Sequence, residues 1–259
     1  MPRYPSRSTP PSSFSFGPGP MSTAMKALIA INVAMFIASE FLLPSLTLQL
    51  GLVPQYVIGR LEVWRLVTYM FLHVGLFHIL FNMLALWMFG TELERIWGTR
   101  FFLKFYFIVG VGAGLLTMLV ARIPFGPLQA LSFSNIVGAS GAIYGLLLAY
   151  ALYFPDRPIY LYVFPVRAKT FVLIASAIAL YASLSETGGV ANATHLGGLL
   201  VAYVYLTSLR KGPRIRLNPW AEVKYRYVKW QLGKARKKFD VYSGGKSDGP
   251  GGRWDGRVH

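Results

Sequence analysis

Apolar residues in this chain come in long blocks, not in the alternation of a strand or on one face of a surface helix. Runs without a single charge cover Ala27–Ser39, Leu66–Thr91, Phe105–Ala121, Ile123–Pro155, Thr170–Ser185 and Thr187–Leu209. A helix needs about 20 mostly apolar residues to cross a bilayer, so six spans fit, some of them borrowing flanking residues. The blocks also carry their own punctuation. Pro124 to Pro127, "PFGP", cannot continue a helix, which moves the expected start of the fourth span to near Ser134. The second block has room for a loop before Gly75. The expected fold class is all-α, a polytopic six-transmembrane-helix bundle, occupying residues 24–210. Residues 1–23, rich in Pro and Ser, read as a disordered cytoplasmic tail with no cleavable signal peptide. Residues 211–259 form a basic cytoplasmic tail.

Composition agrees with lipid as the solvent. The 259 residues are 54% hydrophobic and 14% charged, well below the roughly 25% charge of a soluble domain. Charge then gives orientation. With the N-terminus inside, the inner segments carry 23 of the 26 Lys and Arg residues, and the outer loops carry only Arg60, Arg65 and Arg122. Both termini are therefore expected in the cytoplasm of a multi-pass protein, read here as one of a bacterial inner membrane. The net charge of +16 is accordingly no signature of nucleic-acid binding. In the tail, Asn218 and Pro219 suit a helix start, and Trp220, Val223, Tyr227 and Trp230 recur at helical spacing among Lys and Arg. That pattern predicts an amphipathic helix on an anionic inner leaflet. Cysteine is absent, which removes disulfides and thiolate chemistry, and no metal or organic cofactor is implied.

Against this apolar background a few polar residues stand out. His78 and Asn82, in "HILFN", are four apart and share a helix face, and polar groups inside a span point into the bundle. Ser140 lies in "GASG" with Gly138 and Gly141, and His195 lies in "NATHLGG". Spans two, four and six all enter from the outer side, so His78, Ser140 and His195 fall at one depth, on the order of 5–10 Å below that surface. Gly141 with Gly145, and Gly198 with Ala202, give spans four and six small faces that allow close approach. A Ser–His contact is then sterically available, and Tyr144, one turn beyond Ser140, is placed to stack on the imidazole. Histidine is the usual base that activates a serine nucleophile. The oxyanion formed on attack needs donors, which His78, the Asn82 amide and backbone N–H groups near Ser140 supply. Each of these residues taken singly reads as helix packing or interhelical hydrogen bonding; the set does not. A transporter is disfavoured by the scarcity of acidic residues within the spans, and "GASGA" is not the G-x-S-x-G of soluble serine hydrolases.

At these residues the chain resembles the rhomboid family of intramembrane serine proteases. The resemblance covers about residues 24–210 and rests on "HILFN", "GASG" followed by "AIY", and "THLGGLLVA", with Trp64–Arg65 and "ELERIWG" at Glu92–Gly98 as further matches. It implies Ser140 as nucleophile, His195 as general base, and His78 and Asn82 as oxyanion-binding residues. Gly138, Gly141 and Tyr144 support them, and His73 matches a polar position near the water-access cavity. It further implies single-span membrane proteins as substrates, cut in or near their transmembrane segments. A catalytically silent membrane-protein binding factor is the alternative the resemblance leaves; such relatives typically lack the serine or the histidine, and this chain has both. Two positions depart from the family pattern. Thr194 stands where alanine is usual and Ala202 where glycine is usual, both on the face of span six that meets span four.

Overall fold

The computed structural model describes residues 18–124, 130–161, 164–183 and 189–208. The chain divides into two units, Met1–Arg214 and Ile215–His259, and the second, with the expected tail helix, lies outside the described residues. The first unit is a helical bundle. Helix α1, Thr23–Ile37, is capped by the Ser22 hydroxyl, which accepts from the Met25 amide, and runs on through a π turn to Leu42. Three short helices follow, α2 (Ser45–Leu50), α3 (Pro54–Gly59) and α4 (Arg65–Thr68). Next come α5 (Leu76–Ala85), continued through a π turn into α6 (Thr91–Trp97), and α7 (Thr99–Val120). Helix α8 is Ser140–Tyr153, α9 Ala168–Ser183 and α10 Gly189–Ser208.

Among the described residues three stretches, Thr23–Leu42, Leu76–Trp97 and Thr99–Val120, are long and apolar enough to cross a membrane by length and composition, and α8 and the Ala168–Tyr181 part of α9 are shorter apolar helices. Their outer faces carry Phe41, Phe77, Phe81, Leu173 and Tyr181 in the open, the distribution expected where lipid takes the place of water. Inside, Phe102, Phe105 and Tyr106 of α7 and Leu146 of α8 are fully buried. Helix α7 begins six residues before the charge-free run expected for span three. Arg100 and Lys104 are exposed on its first turns, where long side chains extend to the polar boundary.

Two features depart from the sequence expectation. The segment after α8 contains an antiparallel hairpin, β1 (Pro158–Leu161) with β2 (Phe164–Arg167), where only an inner loop was expected. More consequential for the site, the fourth span starts at Ser140 and not near Ser134. Residues before it are held away from helical geometry: Leu52 and Ile136 exchange backbone hydrogen bonds of 2.8 and 2.9 Å, Asn135 Nδ2 donates to Thr47 O at 2.8 Å, and Gly138 sits at φ +125°. That φ is strained for any residue with a Cβ. The α2–α4 connection serves as the template for this segment. It is itself ordered by Arg65, 4% exposed, whose Nη1 donates to Leu48 O (2.8 Å) and Gly51 O (2.5 Å) while Nε donates to the Glu62 carboxylate (2.5 Å).

At the opposite end of the bundle the Glu94 carboxylate accepts from Ser22 Oγ (2.8 Å) and Thr99 Oγ1 (2.7 Å), tying together the starts of α1 and α7. Arg157, just past α8, pairs with Glu92 of α6.

The α8–α10 contact is the closest in the core. A Cβ on Gly198 would lie 1.9 Å from Gly141 O, and one on Gly145 would lie 3.1 Å from the Ala202 Cβ. Ala202 is fully buried, so its methyl fills space that the facing Gly145 leaves open. Ala202→Gly is therefore expected to open a void, not to tighten the pair. The expected loss is about 1 kcal/mol, the scale for deleting a packed methyl. A melting curve in detergent checks it, and a higher melting temperature for the glycine variant would contradict it.

Candidate active site

Ser140 is the first residue of α8, so its side chain stands at the end of the helix against the preceding loop. That loop is tied to the α4 end of the bundle: Gly138 N–H donates to Tyr69 O at 2.9 Å, and the Tyr69 hydroxyl donates to Gly110 O of α7 at 2.7 Å. His195 is in the second turn of α10. The two helices meet so closely at Gly141 and Gly198 that His195 Nε2 comes to 2.7 Å from Ser140 Oγ. The Tyr144 ring lies parallel to the His195 ring, 4.2 Å between centroids and 6° between planes. Stacking of that kind fixes the imidazole plane while leaving its nitrogens free. His195 Nδ1 has no hydrogen-bond partner among the described residues, so no carboxylate there completes a triad.

His78, in the first turn of α5, approaches from the other side of Gly138. A Cβ at Gly138 would lie 2.9 Å from His78 Nε2 and 3.5 Å from Ser140 Oγ, so the space left by that missing side chain is bordered by both. Asn82 is 7% exposed and its Nδ2 donates to the His78 carbonyl at 2.8 Å, one turn back along α5. An amide nitrogen has two hydrogens, and this bond uses one of them. His73 is fully buried; its Nε2 accepts weakly from Ala139 N–H at 3.5 Å, and its ring lies 5.0 Å from that of His78 in an edge arrangement. Ser140, His195, Tyr144, Gly138, Gly141 and His78 thus gather around the start of α8, while Asn82 lies one turn further along α5 with its amide on the His78 carbonyl. His73 is the one set behind the others, against the loop backbone.

Two contributors escaped the sequence reading. Tyr69 supports the loop through its carbonyl and hydroxyl, and nothing local in "TYMF" announces that role. Thr117 of α7 hydrogen-bonds to Thr194 at 2.9 Å, beside His195. A hydroxyl in the middle of a charge-free run was the available signal.

The site is thus a serine hydroxyl in contact with an imidazole inside a bundle that contains helices long and apolar enough to cross a membrane, and comparison with known proteins gives its class. Residues 60–212 match the family described as "Rhomboid domain". The chain is 30% identical over 185 residues to "Rhomboid protein 1, mitochondrial" of Saccharomyces cerevisiae, covering 69% of this chain and 51% of that protein. It is 34% identical over 191 residues to "RHOMBOID-like protein 1" of Arabidopsis thaliana, covering 67% and 45%. To "Rhomboid protease GluP" of Bacillus subtilis it is 32% identical over 152 residues, covering 59% and 27%. This chain belongs to the rhomboid family and is a multi-pass membrane protein. It spans about half or less of the length of these curated relatives.

Proposed function

We propose that this protein is an intramembrane serine endopeptidase that hydrolyses peptide bonds in or near transmembrane segments of other membrane proteins. The observation that carries the reading is the 2.7 Å contact between His195 Nε2 and Ser140 Oγ, with the imidazole stacked on Tyr144. His195 takes the Ser140 proton as Oγ attacks the scissile carbonyl carbon, and the C=O electron pair moves onto oxygen. His78 and the second Asn82 hydrogen donate to that oxyanion. Collapse breaks the C–N bond, and the imidazolium returns its proton to the leaving amine. The acyl-enzyme ester is then hydrolysed by a water that His195 deprotonates, which frees the carboxylate product and restores Ser140. A helical substrate hides its carbonyls in hydrogen bonds, so segments with small or helix-breaking residues are the favoured class.

In this reading residues 24–210 are the protease domain, both termini are cytoplasmic, and the basic tail from residue 211 rests on anionic lipid. The relatives include mitochondrial, plant and bacterial proteins, so they do not select the bacterial inner membrane.

The test is cleavage of tagged single-span proteins by the purified chain in proteoliposomes, together with labelling by a serine-directed fluorophosphonate. Expected are a cut within or beside the span and a label on Ser140 that disappears in His195→Ala. A chain that binds such proteins, cuts none and takes no label is the silent binding factor. Asn82→Ala is expected to lower the cleavage rate about 10²-fold, the scale for one lost oxyanion donor. Full turnover in that variant would return Asn82 to helix packing.

A further inference from the structure

We infer that the hydrogen bond between Thr194 and Thr117 is a positioning device that sets how far α10 slides and turns against α7, and so where the His195 ring meets Ser140; the inference rests on the dyad reading above. Thr117 Oγ1 donates its one hydrogen to Ala113 O, 2.8 Å away in its own helix. In the 2.9 Å contact between the two hydroxyls Thr194 is therefore the donor. Both side chains are buried, at 0% and 2% exposure, so no solvent competes for the bond.

Its place in the interface gives it leverage. Thr194, Gly198 and Ala202 form a stripe at intervals of four along α10. The two lower rungs meet α8 through small apolar surfaces at Gly141 and Gly145. Dispersion contacts of that kind hold helices close but have no direction, and they resist a small slide or rotation weakly. Thr194 is the rung next to His195 and touches both neighbours. Its Cγ2 would be 3.2 Å from a Cβ on Gly141, and its hydroxyl reaches across to α7. A directional bond at this level fixes the register one residue away from the imidazole. Without it, the Thr194 hydroxyl turns to a carbonyl of its own helix, as threonine in a helix readily does. The imidazole then depends on Tyr144 stacking alone. The alanine usual at this position in the resemblance above has no hydroxyl to make such a tie, so the device belongs to this chain's own pairing with Thr117.

Thr194→Val keeps the shape and removes the donor, Thr117→Val removes the acceptor, and Thr194→Ser restores the hydroxyl. The two valine variants are expected to lower both kcat and the rate of fluorophosphonate labelling of Ser140 by about tenfold. That is less than the roughly hundredfold cost of a 1 Å misplacement. KM and the melting temperature stay near wild type, and the serine variant recovers the rate. Thr207→Val, at the far end of α10, serves as control. The nitrogen resonances of the His195 ring, assigned by comparison with His195→Ala, report its position with or without turnover and should move in both valine variants. Unchanged ring resonances with unchanged labelling in both would overturn the inference. Absence of label on the wild-type chain would instead overturn the dyad reading, with the resonances still deciding whether the threonine pair positions the ring.

Discussion

Ser140→Ala and His195→Ala are each expected to lower the rate of substrate cleavage by about 10⁴-fold or more while leaving a folded membrane protein. Both side chains lie at the edge of the bundle core and not within it, and neither is among its fully buried residues. Removing Oγ takes away the attacking atom, and removing the imidazole leaves a serine hydroxyl whose proton has nowhere to go. In the proposed mechanism the two residues act as one unit, the imidazole taking the proton of the attacking hydroxyl across their 2.7 Å contact. Their losses should therefore not add, and the double variant should be no slower than the worse of the singles. Initial rates on one single-span substrate in proteoliposomes, with a melting curve for each variant, make the measurement. Either single variant retaining more than about 1% of the wild-type rate would be incompatible with covalent catalysis through this pair.

The parts of this molecule that could be read from its sequence are those that depend on solvent and on spacing. Charge-free blocks of this length suit helices in lipid, where an unpaired backbone is too costly; α1, α9 and α10 fall within a few residues of the blocks that announce them, and α7 begins six residues before its own. Tyr144 on the His195 ring followed from a four-residue interval, and the approach of Gly141 to Gly198 from residue size. The beginning of α8 did not follow. "SNIV" carries no charge and no helix breaker, and what keeps it extended is a backbone pairing with Leu52, more than 80 residues earlier. Arg65 was visible as half of Trp64–Arg65, but not as the buried cation that organises the connection around Leu52, the partner in that pairing. The β1–β2 hairpin was missed for a related reason: "PIYLYVFPVR" has the β-branched and aromatic residues of strands, yet it lies between two spans where a loop suffices. Periodicity reports what a segment does with its solvent. It is silent where the partner is a distant piece of backbone.

Gly198→Ala is expected to lower the cleavage rate by about 10²-fold, less than a deletion within the catalytic pair, and by geometry, not by chemistry. The added methyl would sit 1.9 Å from Gly141 O, 2.8 Å from its carbonyl carbon and 3.3 Å from its Cα. These are backbone atoms of a helix, so no side chain can turn aside. Carbon and oxygen need more than 3 Å, about the closest approach of non-bonded atoms, so α8 and α10 must part by roughly 1 Å or more. Gly198 lies less than a turn from His195, and the displacement reaches the Ser140 contact almost undiminished. At 2.7 Å that contact has no slack, and a misplacement of about 1 Å costs on the order of 10²-fold in rate. Lost packing along Gly145 and Ala202 adds a lower melting temperature. Gly145→Ala should be milder in its effect on rate, because its tightest encounter, 2.4 Å, is with the Val109 Cγ1 methyl of a side chain that can adjust. Gly59→Ala, whose new Cβ would come no nearer than 3.7 Å to the Gln55 amide, should leave both rate and melting temperature unchanged. Cleavage rates and melting curves for the three variants together check the ordering. If Gly198→Ala melted and cleaved like Gly59→Ala, the two helices would have to be further apart than their glycines indicate, and the 2.7 Å contact could not be what aligns the pair.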